Sequence, residues 1–295
     1  DGGITSSDSD NDTLEGGAGS DFIHGGGGHD IASYRNSALG VLVDLDDQNY
    51  AYPGTPNPSY PGRGEPGQTG ADPAGEEHGD WLWYMDGVWG SEHGDTLLGR
   101  DTDWDGVYNM SSNDELRGFG GDDSLVGLGG DDSLYGGGGH DTLAGGLGQD
   151  LLHGDSGDDL LLGGPDDSMH GGDGFDVFKL EDHSGLGHTL DLSAMASDGR
   201  ISGIERVDIL GDADDANVLT LRAGDVLAVA DTDTLWVYGD GADEVSTTDS
   251  GWSLVEMNVA GSDGHDYNHY TSTVGSSVVH LMVAEDITEQ HIVHS

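Results

Sequence analysis

The chain has 295 residues, of which 54 are Gly and 34% are hydrophobic, so the core that it can bury is thin. Its 58 Asp and Glu against 8 Lys and Arg give a formal net charge of −50, which excludes nucleic acid and anionic membranes as partners because both bind clustered cations. It has no Cys and no apolar run near the roughly 18 residues of a membrane-spanning helix, which excludes disulfides, thiolate metal sites and membrane insertion.

Such a charge normally predicts disorder, because self-repulsion and low apolar content leave the entropy cost of folding unopposed. Hard oxygen ligands in this abundance suit Ca²⁺, and bound calcium ions would remove the repulsion. What matters, therefore, is whether the acids are scattered or regularly placed.

Residues 1–33 contain a first short array of nine-residue units. From Ser7 onward the units read SDSDNDTLE, GGAGSDFIH and GGGGHDIAS. The sixth position of every unit is an aspartate, which gives Asp12, Asp21 and Asp30. We take these three residues as candidate calcium ligands.

Residues 34–108 interrupt the period. A strand-like GVLVDL at 40–45 precedes a Pro/Gly/Tyr-rich loop at 48–75, and WLWYMDGVW and GSEHGDTLLG follow at 81–99. DTDWDG at 101–106 has the D-x-D-x-D-G opening of an EF-hand-type loop, although the twelfth position is Ser112 instead of Glu. The loop is either a solvated acidic turn or a further calcium site, whose candidate ligands are Asp101, Asp103 and Asp105.

Residues 109–179 hold the main array. Six units in phase carry aspartate at the sixth position and leucine at the eighth, and the seventh unit, GGPDDSMH, is one residue short. GGDGFDVFK closes the array. The candidate ligands of this array are Asp114, Asp123, Asp132, Asp141, Asp150, Asp159, Asp167 and Asp176.

The unit G-G-x-G-x-D-x-U-x, where U is a large apolar residue, describes one turn and one short strand. Glycines at positions one, two and four permit positive φ and close backbone approach, so that the turn presents carbonyl oxygens to a cation. The segment x-U-x forms a minimal strand with U pointing inward. Two units make one coil, so units n and n+2 stack at about 4.8 Å and their aspartates can share one Ca²⁺.

Residues 180–295 lose the nonapeptide but keep β character. Their strand-like segments are TLDLSAMA, RISGIERVDIL, NVLTLRAGDVLAVAD, TLWVYGD, SLVEMNV and SSVVHLMVAEDIT. No Lys or Arg follows Arg222. We therefore predict an all-β fold: a calcium-bound parallel β-roll, or β-solenoid, with an inserted hairpin or loop unit at 34–108 and a β-rich C-terminal cap.

The nonapeptides resemble those of the RTX proteins, which bacteria export by type I secretion. The order YRNSALGVLVDL, loop, MDGVWGSEHGDTLLG is similar to a connecting unit of long RTX proteins in which a broken coil carries a hairpin. The base-free, β-rich end resembles the C-terminal region of large RTX adhesins, which carries an uncleaved export signal. The resemblance implies several bound Ca²⁺ ions, a secreted or cell-surface location, and the type I secretion machinery as a partner.

We therefore expect a monomeric, non-enzymatic calcium-binding domain of a cell-surface adhesin that folds on calcium outside the cell. Its further partner would be a surface glycan or protein. One alternative is the export module of a secreted protease, lipase or epimerase, and another is an ice- or glycan-binding tip. The lack of a start methionine and of a signal peptide favours a fragment of a larger protein.

Four other motifs allow more than one interpretation. GDSGD at 154–158 resembles a protease nucleophile segment, but its phase in the array accounts for every residue. HDYNH and HIVH, at 265–269 and 291–294, have spacings compatible with metal binding, although solvated histidines are the simpler interpretation. The aromatic residues of 81–89, with Trp104, either stack on sugar rings or replace missing U residues against the broken coil.

Overall fold

A computed structural model describes residues 4–5, 9–17, 21–45, 80–100, 113–181, 187–210, 216–287 and 289–292. The chain divides into two compact units, Asp1–Asp150 and Leu151–Ser295. The candidate loop at 101–106, with Asp101, Asp103 and Asp105, lies outside the described residues, as does the Pro/Gly/Tyr-rich loop.

The first unit is built from short strands that pair in parallel. They form three sheets, with the orders β1-β3-β6, β2-β4-β7-β9-β11 and β5-β8-β10-β12. The strands are β1 (Ile4–Thr5), β2 (Thr13–Leu14), β3 (Phe22–His24), β4 (Ile31–Ser33), β5 (Leu42–Asp44), β6 (Trp81–Trp83), β7 (Gly87–Trp89), β8 (Thr96–Leu98), β9 (Glu115–Gly120), β10 (Ser124–Val126), β11 (Ser133–Gly138) and β12 (Thr142–Ala144).

Strand register follows the coil period. Leu116 pairs with Leu134 and Leu125 with Leu143, so units n and n+2 are neighbours in a sheet. The U side chains point inward and are fully buried, because side chains alternate along each short strand. The buried U residues of the main array are Leu116, Leu125, Leu134 and Leu143 in the first unit and Leu152, Leu161, Met169 and Phe178 in the second. The parallel β-roll predicted from the sequence is confirmed.

The described strands of the 34–108 segment are coil strands as well. Strands β5 to β8 all pair in parallel, and Leu82, Val88 and Leu97 occupy U positions in the core. Trp89 does not fill the core in place of a U residue, since Val88 does and alternation turns Trp89 outward. The hairpin expected in this segment stays a prediction, because residues 46–79 lie outside the described part.

The second unit begins with the same coils and ends differently. Its sheets have the orders β13-β15-β18, β14-β16-β19-β21-β25-β24-β23 and β17-β20-β22-β26, and only the pairings of β23 with β24 and of β24 with β25 are antiparallel among its described pairings. Its strands are β13 (Leu151–Ser156), β14 (Leu160–Gly163), β15 (Ser168–Asp173), β16 (Val177–Leu180), β17 (Thr189–Asp191), β18 (Ile201–Ser202), β19 (Arg206–Asp208), β20 (Val218–Leu221), β21 (Thr234–Tyr238), β22 (Glu244–Thr247), β23 (Ser253–Ala260), β24 (Asp266–Val274), β25 (Ser277–Ala284) and β26 (Glu289–His291).

Two segments expected as strands are partly helical. Helix α1 (Leu192–Ser197) is capped at its N-terminus by Asp191, whose Oδ1 accepts a hydrogen bond from the backbone N–H of Ala194 at 3.1 Å. Helix α2 (Ala223–Val229) buries Ala223, Val226 and Val229, which lie three residues apart on one helical face. The capping residue and this spacing, which alternation alone did not reveal, account for the difference. In the described part of the chain, no helix has the length and apolarity needed to cross a membrane.

Candidate metal centre

The sixth-position aspartates stand one above another at the end of each turn. The backbone N–H of Asp114 donates to Oδ1 of Asp132 at 2.7 Å, and the N–H of Asp132 donates to Oδ1 of Asp150 at 2.8 Å. Each carboxylate therefore caps the turn one coil below. This regularity follows from the sequence, since these residues are 18 positions apart.

Every sheet edge that carries repeats shows the same ladder. In the first unit, the backbone N–H of Asp95 donates to Oδ1 of Asp123 at 2.6 Å, and the N–H of Asp123 donates to Oδ1 of Asp141 at 2.8 Å. Asp159 donates to Asp176 at 2.8 Å in the second unit. The first short array gives the bonds Asp12 to Asp30 at 2.9 Å, Asp21 to Asp80 at 2.9 Å and Asp30 to Asp86 at 3.0 Å.

The predicted ligands are placed consistently inside the turns. Asp12 is half-buried, and the other described candidates are buried. These are Asp21, Asp30, Asp114, Asp123, Asp132, Asp141, Asp150, Asp159, Asp167 and Asp176. Buried carboxylates in such numbers need a compensating positive charge or hydrogen-bond donors.

In four of these aspartates, the second carboxylate oxygen, Oδ2, has no hydrogen-bond donor among the described residues. Oδ2 of Asp30, Asp123, Asp132 and Asp176 is buried and accepts no hydrogen bond from the described residues. In each case this oxygen faces the first glycine of its own turn, where a Cβ would collide with it, as at Gly127 beside Asp132. A buried acceptor without a donor costs about 1–3 kcal/mol, and more if it is charged, so these oxygens are suited to a cation.

Burial penalises the charged form of these groups. Loss of solvent, reinforced by neighbouring carboxylates, raises the pKa of Asp123 and of Asp132 to about 8 and that of Asp176 to about 7. A divalent cation beside the Oδ2 oxygens would favour the charged form again. The donor set is all oxygen, which fits Ca²⁺ and disfavours softer metals.

Side chains alone do not complete a coordination shell. Across the described ranges, no three His, Asp or Glu side chains converge in a way that could hold a metal ion. Calcium takes six to eight oxygens, so an ion between stacked turns would draw the remaining ligands from backbone carbonyls and water. Positive φ angles that turn the backbone around occur at Gly130 (124°) and Gly148 (147°), in the fourth position of their units.

The glycines have two separate roles. Positive φ occurs at positions two and four, and at position two it is tolerated by Phe119, Leu128 and Asp155 as well. The first-position glycine is required because it leaves space for the aspartate carboxylate, and its φ is not positive at Gly127 or Gly136. The sequence interpretation, which gave position one the same conformational role, was wrong on this point.

Four turns satisfy Oδ2 from within the chain. A backbone N–H donates to this oxygen in Asp95 from Ser91 at 2.5 Å, in Asp114 from Arg100 at 2.6 Å, in Asp167 from Gly164 at 2.6 Å and in Asp243 from Asp240 at 2.8 Å. In Asp114, loss of solvent raises the pKa to about 6, and the guanidinium of Arg100 limits that rise. The carboxylates therefore fall into two classes.

Sequence reasoning missed several members of the ladders. Asp80, Asp86 and Asp95 lie in the irregular segment, and Glu205 and Asp243 lie beyond the nonapeptides. Each is followed two residues later by a buried apolar residue, as Asp86 is by Val88 and Glu205 by Val207. The shorter pattern D-x-U-x, with Glu allowed, would have found them.

The described histidines of the HDYNH motif do not form a metal site. His265 packs against the ring of Tyr238, with its Nδ1 4.0 Å from Asp286, whereas Nε2 of His269 lies 2.8 Å from Nδ1 of His280. HDYNH therefore separates its two histidines, and HIVH ends outside the described residues. GDSGD is a turn of the array, and its Asp155 has a positive φ of 74°.

Comparison with known protein families bears on the same residues. The model of the RTX calcium-binding nonapeptide repeat, four copies long, matches residues 6–33, 110–134, 117–152, 135–167 and 145–178, together about a third of the chain. No curated protein matches the chain significantly. RTX nonapeptide repeats bind calcium ions at multiple sites and are typical of secreted proteins. The chain therefore contains an RTX calcium-binding region, and calcium is its cofactor.

Proposed function

We propose that this chain is the calcium-folding domain of a bacterial cell-surface adhesin exported by type I secretion. The observation that carries the proposal is that the buried Oδ2 oxygens of Asp30, Asp123, Asp132 and Asp176 accept no hydrogen bond from the described residues. Where calcium is scarce, the charge of −50 and these carboxylates oppose folding, so the chain stays unfolded and fit for export. Outside the cell, calcium binding supplies free energy that drives folding.

The aspartates, glycines and U residues of the repeats have different roles in this proposal. In this proposal the sixth-position aspartates ligate calcium. Asp30, Asp123, Asp132 and Asp176 are the strongest candidates, because their Oδ2 oxygens have no donor among the described residues. Glycines give the turns their shape and leave room for the carboxylates. The buried U residues pack in the core of the coils. The role of the domain in this proposal is structural rather than catalytic.

A row of half-exposed side chains on the outer face of β7, β9 and β11 supports a glycan as the adhesion ligand. The guanidinium of Arg117 lies 5.7 Å from the ring centre of Trp89 and 4.4 Å from that of Tyr135, and its Nε donates to Glu115 at 2.8 Å. Aromatic side chains beside a few hydrogen-bonding groups are typical of ligand-binding surfaces, and in this proposal the ligand is a sugar. The same domain could instead follow a secreted enzyme as its folding module, and this row would then have no ligand.

The first test is far-UV circular dichroism of chelator-treated protein during a Ca²⁺ titration, with Mg²⁺ as the control. We expect a cooperative gain of β signal with calcium alone. A chain that is folded without calcium would overturn the folding proposal. A glycan array with calcium-loaded protein then tests the adhesin role: binding that is lost in Tyr135→Ala supports it, and an array without binding favours the enzyme-module alternative.

A further inference from the structure

We propose that the guanidinium of Arg100 is a built-in cation that takes the place of a calcium ion between the stacked turns of Asp86 and Asp114. The proposal rests on calcium occupying the comparable position in other turns, as proposed above. It predicts that the arginine neutralises the carboxylates of Asp86 and Asp114 at any calcium concentration.

Asp86 and Asp114 directly precede the neighbouring strands β7 and β9 of one sheet. Strands β7 and β9, which follow them, pair in parallel with Val88 opposite Leu116. The N–H of Glu115 donates to the carbonyl of Asp86 at 3.0 Å, just as the N–H of Ser133 donates to the carbonyl of Asp114 at 2.8 Å one coil further on. A cation between Asp86 and Asp114 thus corresponds in position to one between Asp114 and Asp132.

Arg100 reaches both carboxylates. Its Nη2 lies 2.7 Å from Oδ1 of Asp114 and 3.4 Å from Oδ1 of Asp86, and its Nε donates to the same Asp114 oxygen at 2.7 Å. Its backbone N–H donates to Oδ2 of Asp114 at 2.6 Å, and Nη2 also donates to the carbonyl of Asn113 at 3.4 Å. Carboxylates and a carbonyl around one positive centre are the ligands that a calcium ion would collect.

Asp114 and Asp132, at the same edge of the sheet, differ in the donors to their carboxylates. Among the described residues, the donors to both oxygens of Asp114 come from Arg100. Oδ2 of Asp132, in the next coil, has no donor among the described residues. The Arg100 side chain is only 12% exposed and that of Asp114 is fully buried, so water does not screen this pair.

An arginine can hold this position permanently because it keeps its proton at any physiological pH and spreads its donors in a rigid planar fork. A calcium ion at a weak site leaves when the calcium concentration falls, but a tethered guanidinium does not. The coil of Asp86 and the first coil of the main array would thus be joined before calcium enters the following turns.

The test compares wild-type protein with Arg100→Gln, which removes the charge, and with Arg35→Gln, which removes an exposed arginine of the same unit. The N–H of residue 100 still donates to Oδ2 of Asp114 in Arg100→Gln, so we expect one more calcium ion per chain at the Oδ1 oxygens of Asp114 and Asp86 that the guanidinium contacts in wild type, and a higher calcium requirement for folding. Arg35→Gln should keep the wild-type stoichiometry. An unchanged stoichiometry in a folded Arg100→Gln variant overturns the proposal.

A second measurement covers the case in which Arg100→Gln does not fold. Wild-type crystals grown with terbium, a calcium mimic with strong anomalous scattering, should show an ion peak between Asp132 and Asp150 and none between Asp86 and Asp114. A peak at the second place overturns the role of Arg100 alone. Wild-type protein that neither binds calcium nor folds with it overturns the proposed function instead, so the two failures are distinguishable.

Discussion

Two successive turns of the second unit differ by one residue and solve the same electrostatic problem in different ways. The turn of Asp167 belongs to the eight-residue unit, and the N–H of Gly164 donates to its Oδ2 at 2.6 Å. The turn of Asp176 belongs to a full nonapeptide, and its Oδ2 is buried without a donor from the described residues. The longer turn of Asp176 lacks that internal donor, although Asp95, which also lies five residues after the first glycine of its turn, accepts from the N–H of Ser91. The path of the backbone through the turn, and not its length alone, therefore decides whether the backbone satisfies a carboxylate or a cation is needed.

The largest effect that follows from this comparison is a reversal of the pH dependence of stability by calcium. Burial raises the pKa of Asp123 and Asp132 to about 8 and that of Asp176 to about 7, above the value of about 4 in an unfolded chain. The folded state therefore binds more protons than the unfolded state between these values. Without calcium, this contribution to stability is present below about pH 4 and is lost as the pH rises through 7 to 8.

We expect metal-depleted protein to lack the folded circular dichroism signal at pH 8 and to gain β signal as the pH is lowered towards 5, measured in buffers passed over a chelating resin. With saturating calcium the protein is folded, and its urea midpoint should instead rise from pH 5 to pH 8, because calcium binds the deprotonated carboxylates. Metal-depleted protein that loses β signal as the pH is lowered would mean that the buried carboxylates are already neutralised within the chain.

The next effect concerns one shared position in the first unit. Asp132→Ala with Asp150→Ala removes two consecutive carboxylates of a ladder, and we expect the loss of at least one calcium ion per chain. A site held at a hundredfold excess over its dissociation constant contributes about 2.7 kcal/mol, so the melting temperature of calcium-loaded protein should fall clearly. Calorimetric titration and a thermal melt measure both. An unchanged stoichiometry and melt would contradict the sharing of ions between stacked turns.

The regular part of the molecule is the part that the sequence predicts best. One nonapeptide specifies its own turn, its inward residue and its neighbour 18 residues away, so Leu134 and Asp132 could be placed without a structure. Asp86 could not, because the spacing between Asp80, Asp86 and Asp95 is irregular and only the pairing of β6, β7 and β8 shows which coil each one joins.

The hydrogen-bond donors to the Oδ2 oxygens could not be predicted from the sequence, for a different reason. Whether Oδ2 has a partner depends on the path of the turn, and eight- and nine-residue turns carry the same residue types. Arg100 precedes the D-x-D-x-D-G motif and has no place in any repeat, so nothing in the sequence connects it with Asp114. The class of fold and the cation follow from composition and period, whereas the division of the carboxylates into two classes needs coordinates.

A smaller effect compares the two neighbouring turns directly. Asp176→Asn replaces the carboxylate that lacks a donor among the described residues with a neutral amide, and we expect it to lower the number of bound calcium ions by one. Asp167→Asn keeps an oxygen that can accept from Gly164, so its stoichiometry should match the wild type, which makes it the matched control. Equilibrium dialysis against ⁴⁵Ca²⁺ measures both variants. Equal losses in the two variants would show that the hydrogen bond from Gly164 does not exclude calcium.

The smallest expected effect is the gain of one calcium site. Insertion of one glycine between Pro165 and Asp166 restores nine residues to the short unit, which should move the N–H of Gly164 away from Oδ2 of Asp167 and leave that oxygen without a donor. We expect one additional calcium ion per chain and a slightly higher melting temperature at saturating calcium. The control is a glycine inserted after Gly275, whose position in the turn between β24 and β25 is open and lies outside the ladders. If the insertion at Pro165 folds and yet binds no further ion, turn length does not select between backbone and cation, and the difference between Asp167 and Asp176 needs another cause.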